Sequence, residues 1–166
     1  MTALVSQIPS TIERWDAALA GEIITAHAGM EGAALPILHA LQDEFGCVPK
    51  QSEPMIADAL NVSRAEVHGV ISFYHDFRRA PPGHHVLKLC RAESCQSNGG
   101  VELADRLLAR LGIDWGGTTA DRSLTVEPVY CLGLCACSPA ALLDGEPMAR
   151  LNDAKLETMA AEARRT

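Results

Sequence analysis

Four of the six cysteines in this 166-residue chain form two closely spaced pairs. Four residues separate Cys90 from Cys95, and three separate Cys131 from Cys135. Each pair begins where a strand-like stretch ends, and a helix-like stretch lies between the two pairs. If the two strands are parallel neighbours, both pairs meet at one end of a sheet. Two thiolate pairs held on short loops in this way are what a four-thiolate cluster needs.

The residues around the first pair are of types that stabilise thiolates. Four side chains can donate hydrogen bonds to the sulfurs, namely Ser94, Gln96, Ser97 and Asn98. Gly99 and Gly133 allow a close backbone approach, and a helix that opens near Gly100 directs its positive end toward Cys95. We therefore expect the pairs to be held as thiolates.

Other kinds of cysteine chemistry remain open at this point. The spacing differs from the compact run of bacterial ferredoxins and from the plant type, and no histidine follows a ligand cysteine as in a Rieske site. Zinc also takes four cysteines, although usually with C-x2-C spacing. Four unrelated buried thiols are the plain structural alternative. Cys135 and Cys137 leave a weak form of dithiol redox chemistry open, and Cys47 is interpreted as structural.

Composition narrows the class of protein and of partner. The chain is 48% hydrophobic and carries a formal net charge of -7, so we expect a folded protein that does not bind nucleic acid. No apolar run approaches the roughly 18 residues of a membrane span, and the first residues lack the features of a signal peptide. We therefore expect a cytoplasmic location and no direct membrane insertion. In that compartment cysteines remain reduced and serve as ligands or redox groups.

The elements upstream of the cysteine pairs are predicted to be helices. A capping box at Ser10 and Glu13 opens a first helix that ends at Gly29. A second helix runs from about Ala34 to Gly46, and a third from Ser52 to about Leu60. Ser63 and Glu66 form another capping box, which opens a fourth helix. Residues 1–83 are thus predicted to be a helical docking domain and linker, ending at Pro81, Pro82 and Gly83.

Residues 84–166 alternate strand and helix patterns. The predicted elements are a strand from His85 to Cys90, a helix from Gly100 to Leu111, a strand from Leu124 to Tyr130, a hairpin of Ala140 to Leu143 and Met148 to Leu151, and a helix capped by Asn152. Pro128 and Pro147 must lie at edges or bulges. The fold class is α+β, with an N-terminal helical bundle followed by a thioredoxin-like α/β domain that has a mixed sheet.

Five short motifs lie between Leu35 and Cys135. They are Leu35-Pro36-Ile37-Leu38-His39, Glu44-Phe45-Gly46, the helix ending in Phe73-Tyr74, the Cys90 to Cys95 loop, and Cys131-Leu132-Gly133-Leu134-Cys135. With these motifs the chain from Leu35 onward resembles the thioredoxin-like 2Fe-2S subunit of NADH dehydrogenases and related complexes. It implies that Cys90, Cys95, Cys131 and Cys135 bind one 2Fe-2S cluster. Respiratory relatives commonly have Ala-Pro after the last ligand, whereas this chain has Cys137-Ser138-Pro139. That variant and the first loop are similar to the gamma subunit of NAD-dependent molybdenum formate dehydrogenases.

The resemblance implies a non-catalytic electron-transfer subunit. The implied partners are a flavoprotein subunit that binds FMN and NADH, and a larger molybdenum and iron-sulfur catalytic subunit. The alternatives are the equivalent subunit of a respiratory NADH:quinone oxidoreductase or of an NAD-reducing hydrogenase, and a free-standing 2Fe-2S ferredoxin. This chain shows neither a G-x-G-x-x-G nor a G-x4-G-K-[ST] motif, so we expect FMN and NAD to bind the partner.

Overall fold

The computed structural model describes residues 15–164, and packing divides the chain into two compact units. The first unit ends at Pro81 and the second begins at Pro82, within the stretch where the sequence predicts a linker. Each unit has its own hydrophobic core.

The described part of the first unit, residues 15–81, contains four helices. They are α1 (Ala17–His27), α2 (Ala34–Phe45), α3 (Ser52–Leu60) and α4 (Arg64–Phe73). Their apolar stripes meet in a core that includes the fully buried Ile37, Leu38, Leu41 and Ile56. Burying a side chain of this size stabilises the fold by about 1.5–3 kcal/mol. The predicted helical bundle is confirmed for the described residues.

Local signals explain where these helices begin and end. The predicted capping box at Ser63 and Glu66 is present, with each residue bonded to the other's backbone N-H. Gly46 ends α2 in the left-handed region, at φ 73°. The predicted box at Ser10 and Glu13 lies outside the described residues. The described start of α1 is capped by Asp16, whose side chain accepts the backbone N-H groups of the first turn.

The second unit is a four-stranded mixed sheet with helices. Its strands are β1 (His85–Cys90), β2 (Leu124–Val129), β3 (Ala141–Leu143) and β4 (Glu146–Met148), in the spatial order β2-β1-β3-β4. Its helices are α5 (Glu93–Ser97), α6 (Gly100–Leu111) and α7 (Asp153–Ala163), with a 3-10 turn at Cys135–Cys137. The pair β1 and β2 is parallel, and the pairs on the β3 side are antiparallel. The predicted α+β class is confirmed.

Helix α6 is the crossover that parallel pairing of β1 and β2 requires. It buries Leu103, Ala104, Leu107 and Leu108, which recur at helical spacing and join the core beside the sheet. Its exposed side carries Arg106, whose guanidinium donates two hydrogen bonds of 2.9 Å to Asp153 in α7. Of the helices in residues 15–164, none has the length and apolar character to cross a membrane.

Two features of the second unit differ from the prediction. The second hairpin strand was predicted at Met148 to Leu151, but β4 spans Glu146–Met148, because the two-residue turn of Asp144 and Gly145 places pairing directly after it. Beyond it Arg150 adopts φ 50°, and its N-H bonds to the carbonyl of Cys137, so the chain leaves the sheet. The short helix α5 was not predicted at all. Its five residues are too few for a periodic pattern.

The two outer strands confirm the prediction for the prolines. Pro128 lies in β2 and Pro147 in β4, which are the edge strands of the sheet. The outer side of β2 is also covered in its first half, because Gly116 and Thr119 donate backbone hydrogen bonds to it. The two central strands, β1 and β3, carry no proline.

Candidate metal centre

The two cysteine pairs lie at the same edge of the sheet, because the parallel strands before them end side by side. Cys90 is the last residue of β1 and is paired with Val129, the last residue of β2. Cys131 follows two residues later. The N-H of Cys90 also donates to the carbonyl of Ala140 at 3.0 Å, which anchors the start of β3 to the same edge.

The four thiols are close to one another and are arranged two and two. The Sγ atoms of Cys131 and Cys135 are 3.8 Å apart, and the thiols of Cys90 and Cys95 are hydrogen-bonded. The backbone N-H groups of Cys131 and Leu132 also bond to the sulfur of Cys90, so the second cysteine loop contacts the first pair. The structure thus brings together all four cysteines that the sequence singled out.

The first pair is buried and well supplied with donors. Cys90 is 7% exposed and Cys95 is 3% exposed. Burial raises the pKa of Cys90, but the backbone N-H groups of Ala92, Cys131 and Leu132, together with the Cys95 thiol, bring its pKa below the usual value. Burial and the hydrogen bond with Cys90 raise the pKa of Cys95. The backbone N-H groups around Cys90 therefore favour negative charge on this sulfur.

The second pair is exposed to solvent. Hydrogen bonding to Cys131, followed by the charge on that residue, raises the pKa of Cys135. The N-H of Gly133 donates to the sulfur of Cys131 at 3.4 Å. Cys131 and Gly133 both have φ 76°, and a cysteine in this left-handed region costs on the order of 1–3 kcal/mol. The loop is thus folded into a strained turn that directs backbone N-H groups at sulfur.

Apolar side chains surround the buried pair. Ala140 packs directly against Cys90 and Cys95, and the partly buried residues around this cluster are Ala92, Val129, Leu132 and Leu134. Most of these residues belong to the two cysteine loops. The loops therefore supply both the thiols and the low-polarity surroundings that strengthen hydrogen bonds to sulfur.

The polar side chains of the first loop do not bond to the sulfurs, so that prediction was wrong. Gln96 donates to the carbonyl of Arg91 at 2.6 Å, and Ser97 donates to the carbonyl of Glu93 at 2.9 Å. Ser94 and Asn98 donate to groups of the second loop instead. Their partner Ser138 was missed as a functional residue, because it lies 44 and 40 positions away from them in sequence. Apart from the thiols themselves, the donors to sulfur are backbone N-H groups.

Helix α6 begins against the backbone of Cys95. A Cβ atom on Gly100 would lie 2.6 Å from the carbonyl oxygen of Cys95, so only glycine fits at this position. The residue before it, Gly99, caps the helix at φ 80°. The predicted approach of the helix start to Cys95 is therefore present, and it takes the form of a tight backbone contact.

The two remaining cysteines lie outside the pairs. Cys137 follows Cys135 in the 3-10 turn, and its backbone N-H and C=O bond to Leu134 and Arg150. Cys47 is buried in the helical unit. Burial raises its pKa, against the opposing charges of the neighbouring arginines, so it remains a neutral thiol. Neither arrangement provides a third thiol pair.

The donor set fits a two-iron cluster. Within residues 15–164 no three His, Cys, Asp or Glu side chains converge on a position for a single metal ion. The four thiols form two pairs instead, and a 2Fe-2S cluster takes two protein ligands on each iron. Thiolate ligands with backbone N-H donors also match the chemistry of iron-sulfur sites. Fold and site together define an α+β protein whose mixed sheet carries four thiols at one edge, in an arrangement that suits an iron-sulfur cluster.

Comparison with known proteins identifies the family. The model of the thioredoxin-like 2Fe-2S ferredoxin family matches residues 20–164. The chain therefore belongs to this family, whose cofactor is a 2Fe-2S cluster. The match includes both units, so the helical half belongs to the family as much as the sheet does.

The relatives are subunits of oxidoreductases. The chain is 34% identical over 137 residues to a subunit of the NADH-quinone oxidoreductase of Thermus thermophilus, covering 82% of this chain and 76% of that one. It is 28% identical over 132 residues to a subunit of the NADP-reducing hydrogenase of Solidesulfovibrio fructosivorans, covering 80% of this chain and 77% of that one. A crystal structure of an air-oxidised NAD+-reducing NiFe-hydrogenase matches 77% of this chain with a TM-score of 0.63 and 29% identity. The matched region is 22% of that hydrogenase chain.

The contact between Gly100 and Cys95 generates a first prediction. Gly100→Ala forces the Cys95 loop to move, which we expect to cost about 1–3 kcal/mol of unfolding free energy and to lower the iron bound per chain. Gly69→Ala is the matched control, because a Cβ there meets nothing within 4 Å and alanine favours the helix. Denaturant titration and iron analysis measure both variants. Equal stability and iron content in Gly100→Ala and wild type would show that the contact is not needed.

Proposed function

We propose that Cys90, Cys95, Cys131 and Cys135 are the four ligands of the 2Fe-2S cluster and that the chain is an electron-transfer subunit. The observation that carries this proposal is the meeting of two thiol pairs at one sheet edge. When bound, the cluster supplies one-electron redox chemistry. The chain's own contribution is to hold the thiols in place and to set their surroundings.

The two thiol pairs have different tasks in this proposal. The buried pair, Cys90 and Cys95, is shielded from water, and backbone donors stabilise negative charge on Cys90. The exposed pair, Cys131 and Cys135, lies where a partner protein can approach. The side chain just before this pair, Tyr130, is 69% exposed. We propose that electrons enter or leave on this exposed side, and that no substrate bond is made or broken on this chain.

The parent assembly in this proposal is an NAD-linked complex. The relatives, which are subunits of an NADH-quinone oxidoreductase and of an NADP-reducing hydrogenase, support a role next to a flavoprotein that binds FMN and NADH. We propose that this complex is a formate dehydrogenase, in which a larger molybdenum and iron-sulfur subunit is the catalytic partner. The sequences of the Cys90 to Cys95 loop and of Cys137-Ser138-Pro139 support this assignment. A cytoplasmic location belongs to the same proposal, because reduced thiols persist there.

Two other assemblies are the rivals of this proposal. They are a respiratory NADH:quinone oxidoreductase and an NAD-reducing hydrogenase, and both have relatives among the matches. A free-standing ferredoxin is a third alternative. The presence of a whole helical unit within the family match favours a subunit over a solitary carrier.

The helical unit is proposed to dock the flavoprotein. At the end of α4, Phe73 is 74% exposed and Tyr74 is 42% exposed, and their rings stack edge to face with centroids 5.1 Å apart. The opposite side of the helix buries Val67 and Ile71 in the core. Large exposed aromatic side chains on a rigid element are typical anchors of protein interfaces.

Ligation is tested by single substitutions. Alanine at Cys90, Cys95, Cys131 or Cys135 removes one thiolate, and we expect each variant to lose the 2Fe-2S electron paramagnetic resonance signal and the visible absorption. Cys47→Ala and Cys137→Ala are matched controls and should keep both. An intact signal in any of the first four variants, or loss of the signal in Cys137→Ala, contradicts the proposed ligand set. Zinc in place of iron in the wild-type protein contradicts the cluster itself.

The docking role is tested at the aromatic pair. Phe73→Ala/Tyr74→Ala should weaken binding to the co-expressed flavoprotein by at least about 2 kcal/mol, because interface anchors of this kind contribute that much. Met30→Ala is the control, since Met30 is also an exposed apolar residue of the helical unit, at 51%. Calorimetric titration measures the affinity, and the resonance signal shows that the cluster is retained. Equal affinities for the double variant and wild type would refute docking through this surface.

The terminal substrate is tested on the native assembly. The tagged chain is purified with its partners, metals are determined, and NAD reduction is compared with formate, with hydrogen and without a donor. We expect bound molybdenum and reduction that depends on formate. Nickel with hydrogen-dependent reduction indicates the hydrogenase, and NADH oxidation linked only to quinone indicates the respiratory complex. Either result removes the formate proposal and leaves the electron-transfer role standing.

A further inference from the structure

Three polar side chains connect the two cysteine loops. The hydroxyl of Ser94 lies 3.0 Å from the carbonyl oxygen of Cys135 and 3.1 Å from the hydroxyl of Ser138. The side-chain nitrogen of Asn98 lies 3.0 Å from the same Ser138 hydroxyl and 2.8 Å from the carbonyl oxygen of Ser94. We call Ser94, Asn98 and Ser138 the loop bridge.

Counting protons gives every hydrogen bond of the loop bridge a direction. The side-chain nitrogen of Asn98 carries two N-H groups, and it donates one hydrogen bond to the Ser94 carbonyl and one to the Ser138 hydroxyl. Because a carbonyl oxygen only accepts, the hydroxyl of Ser94 donates its hydrogen bond to the carbonyl oxygen of Cys135. The hydroxyl of Ser138 therefore donates to the hydroxyl oxygen of Ser94. Each donor is used once, so the bridge has one consistent arrangement.

The ends of the loop bridge explain what it controls. Ser94 is the neighbour of Cys95 in the buried pair, and its hydroxyl bonds to the backbone of Cys135 in the exposed pair. Asn98 and Ser94 belong to the α5 segment, whereas Ser138 follows the 3-10 turn that contains Cys135. A shift of one loop relative to the other must therefore break at least one bond of the bridge.

We propose that Ser94, Asn98 and Ser138 are positioning residues that set the spacing between the two thiol pairs. The inference rests on the proposed ligation of one cluster by both pairs. A two-iron cluster has a rigid size, so the separation of the pairs decides how firmly it is held. The loop bridge keeps that separation, and its Ser94 hydroxyl holds the carbonyl of Cys135.

The test uses the full-length protein purified with its cluster. In Ser138→Ala and Ser94→Ala two side-chain bonds of the bridge are lost, and we expect iron release to a chelator to be at least about fivefold faster than in wild type. The resonance g-values and the midpoint potential should shift, because the thiol pairs move relative to the irons. Ser97→Ala is the matched control, since its hydroxyl bonds only within α5, and it should leave all three measurements unchanged.

Two further substitutions, at Ser94 and Asn98, distinguish loss of the hydrogen bonds from a general loss of stability. Ser94→Thr retains the hydroxyl and should restore the wild-type release rate, whereas Asn98→Leu removes the amide donor at similar volume and should increase it. If the bridge variants melt like wild type and match Ser97→Ala in release rate, g-values and potential, the inference is refuted. Should Ser138→Ala not fold, Asn98→Leu and the Ser94 pair decide alone. Absence of any 2Fe-2S signal in the wild-type protein would instead refute the proposed function.

Discussion

The parallel pairing of β1 with β2 is the constraint on which the rest of the site depends. Parallel strands need a crossover, and the chain supplies it as α6 between them. Because both strands run in the same direction, Cys90 and Cys131 leave the sheet at one edge although forty-one positions separate them in sequence. An antiparallel pair would place the two loops at opposite ends. The buried leucines of α6 thus stabilise the site as well as the fold.

Two different environments meet at this edge. The thiols of Cys90 and Cys95 are buried and accept hydrogen bonds from backbone N-H groups, whereas Cys131 and Cys135 are exposed to solvent. Hydrogen bonds to sulfur and exposure to water are two of the factors that set the potential of an iron-sulfur protein. In this site most backbone hydrogen bonds to sulfur are at the buried pair, and the exposure to water is at the other pair. The asymmetry comes from the backbone turns, because no side-chain amide or hydroxyl of the first loop bonds to sulfur.

Much of this arrangement could be predicted from the sequence, and the failures have physical reasons. Periodicity and caps located α2, α3, α4, α6 and α7 because these helices depend on local signals. The strand preceding each cysteine pair was equally clear. The roles of Ser94 and Asn98 were mispredicted because hydrogen-bond partners depend on which loops meet in space. Ser138 could have been predicted only from the spatial arrangement of the two loops, which places its hydroxyl next to that of Ser94.

The prolines of the two edge strands have a consequence for how this protein associates with others. An open sheet edge invites another chain to add a strand, which is a common route to aggregation. Pro128 and Pro147 each remove a backbone donor from an outer strand, and the segment around Gly116 covers part of β2. The sheet therefore resists lengthening by a foreign strand.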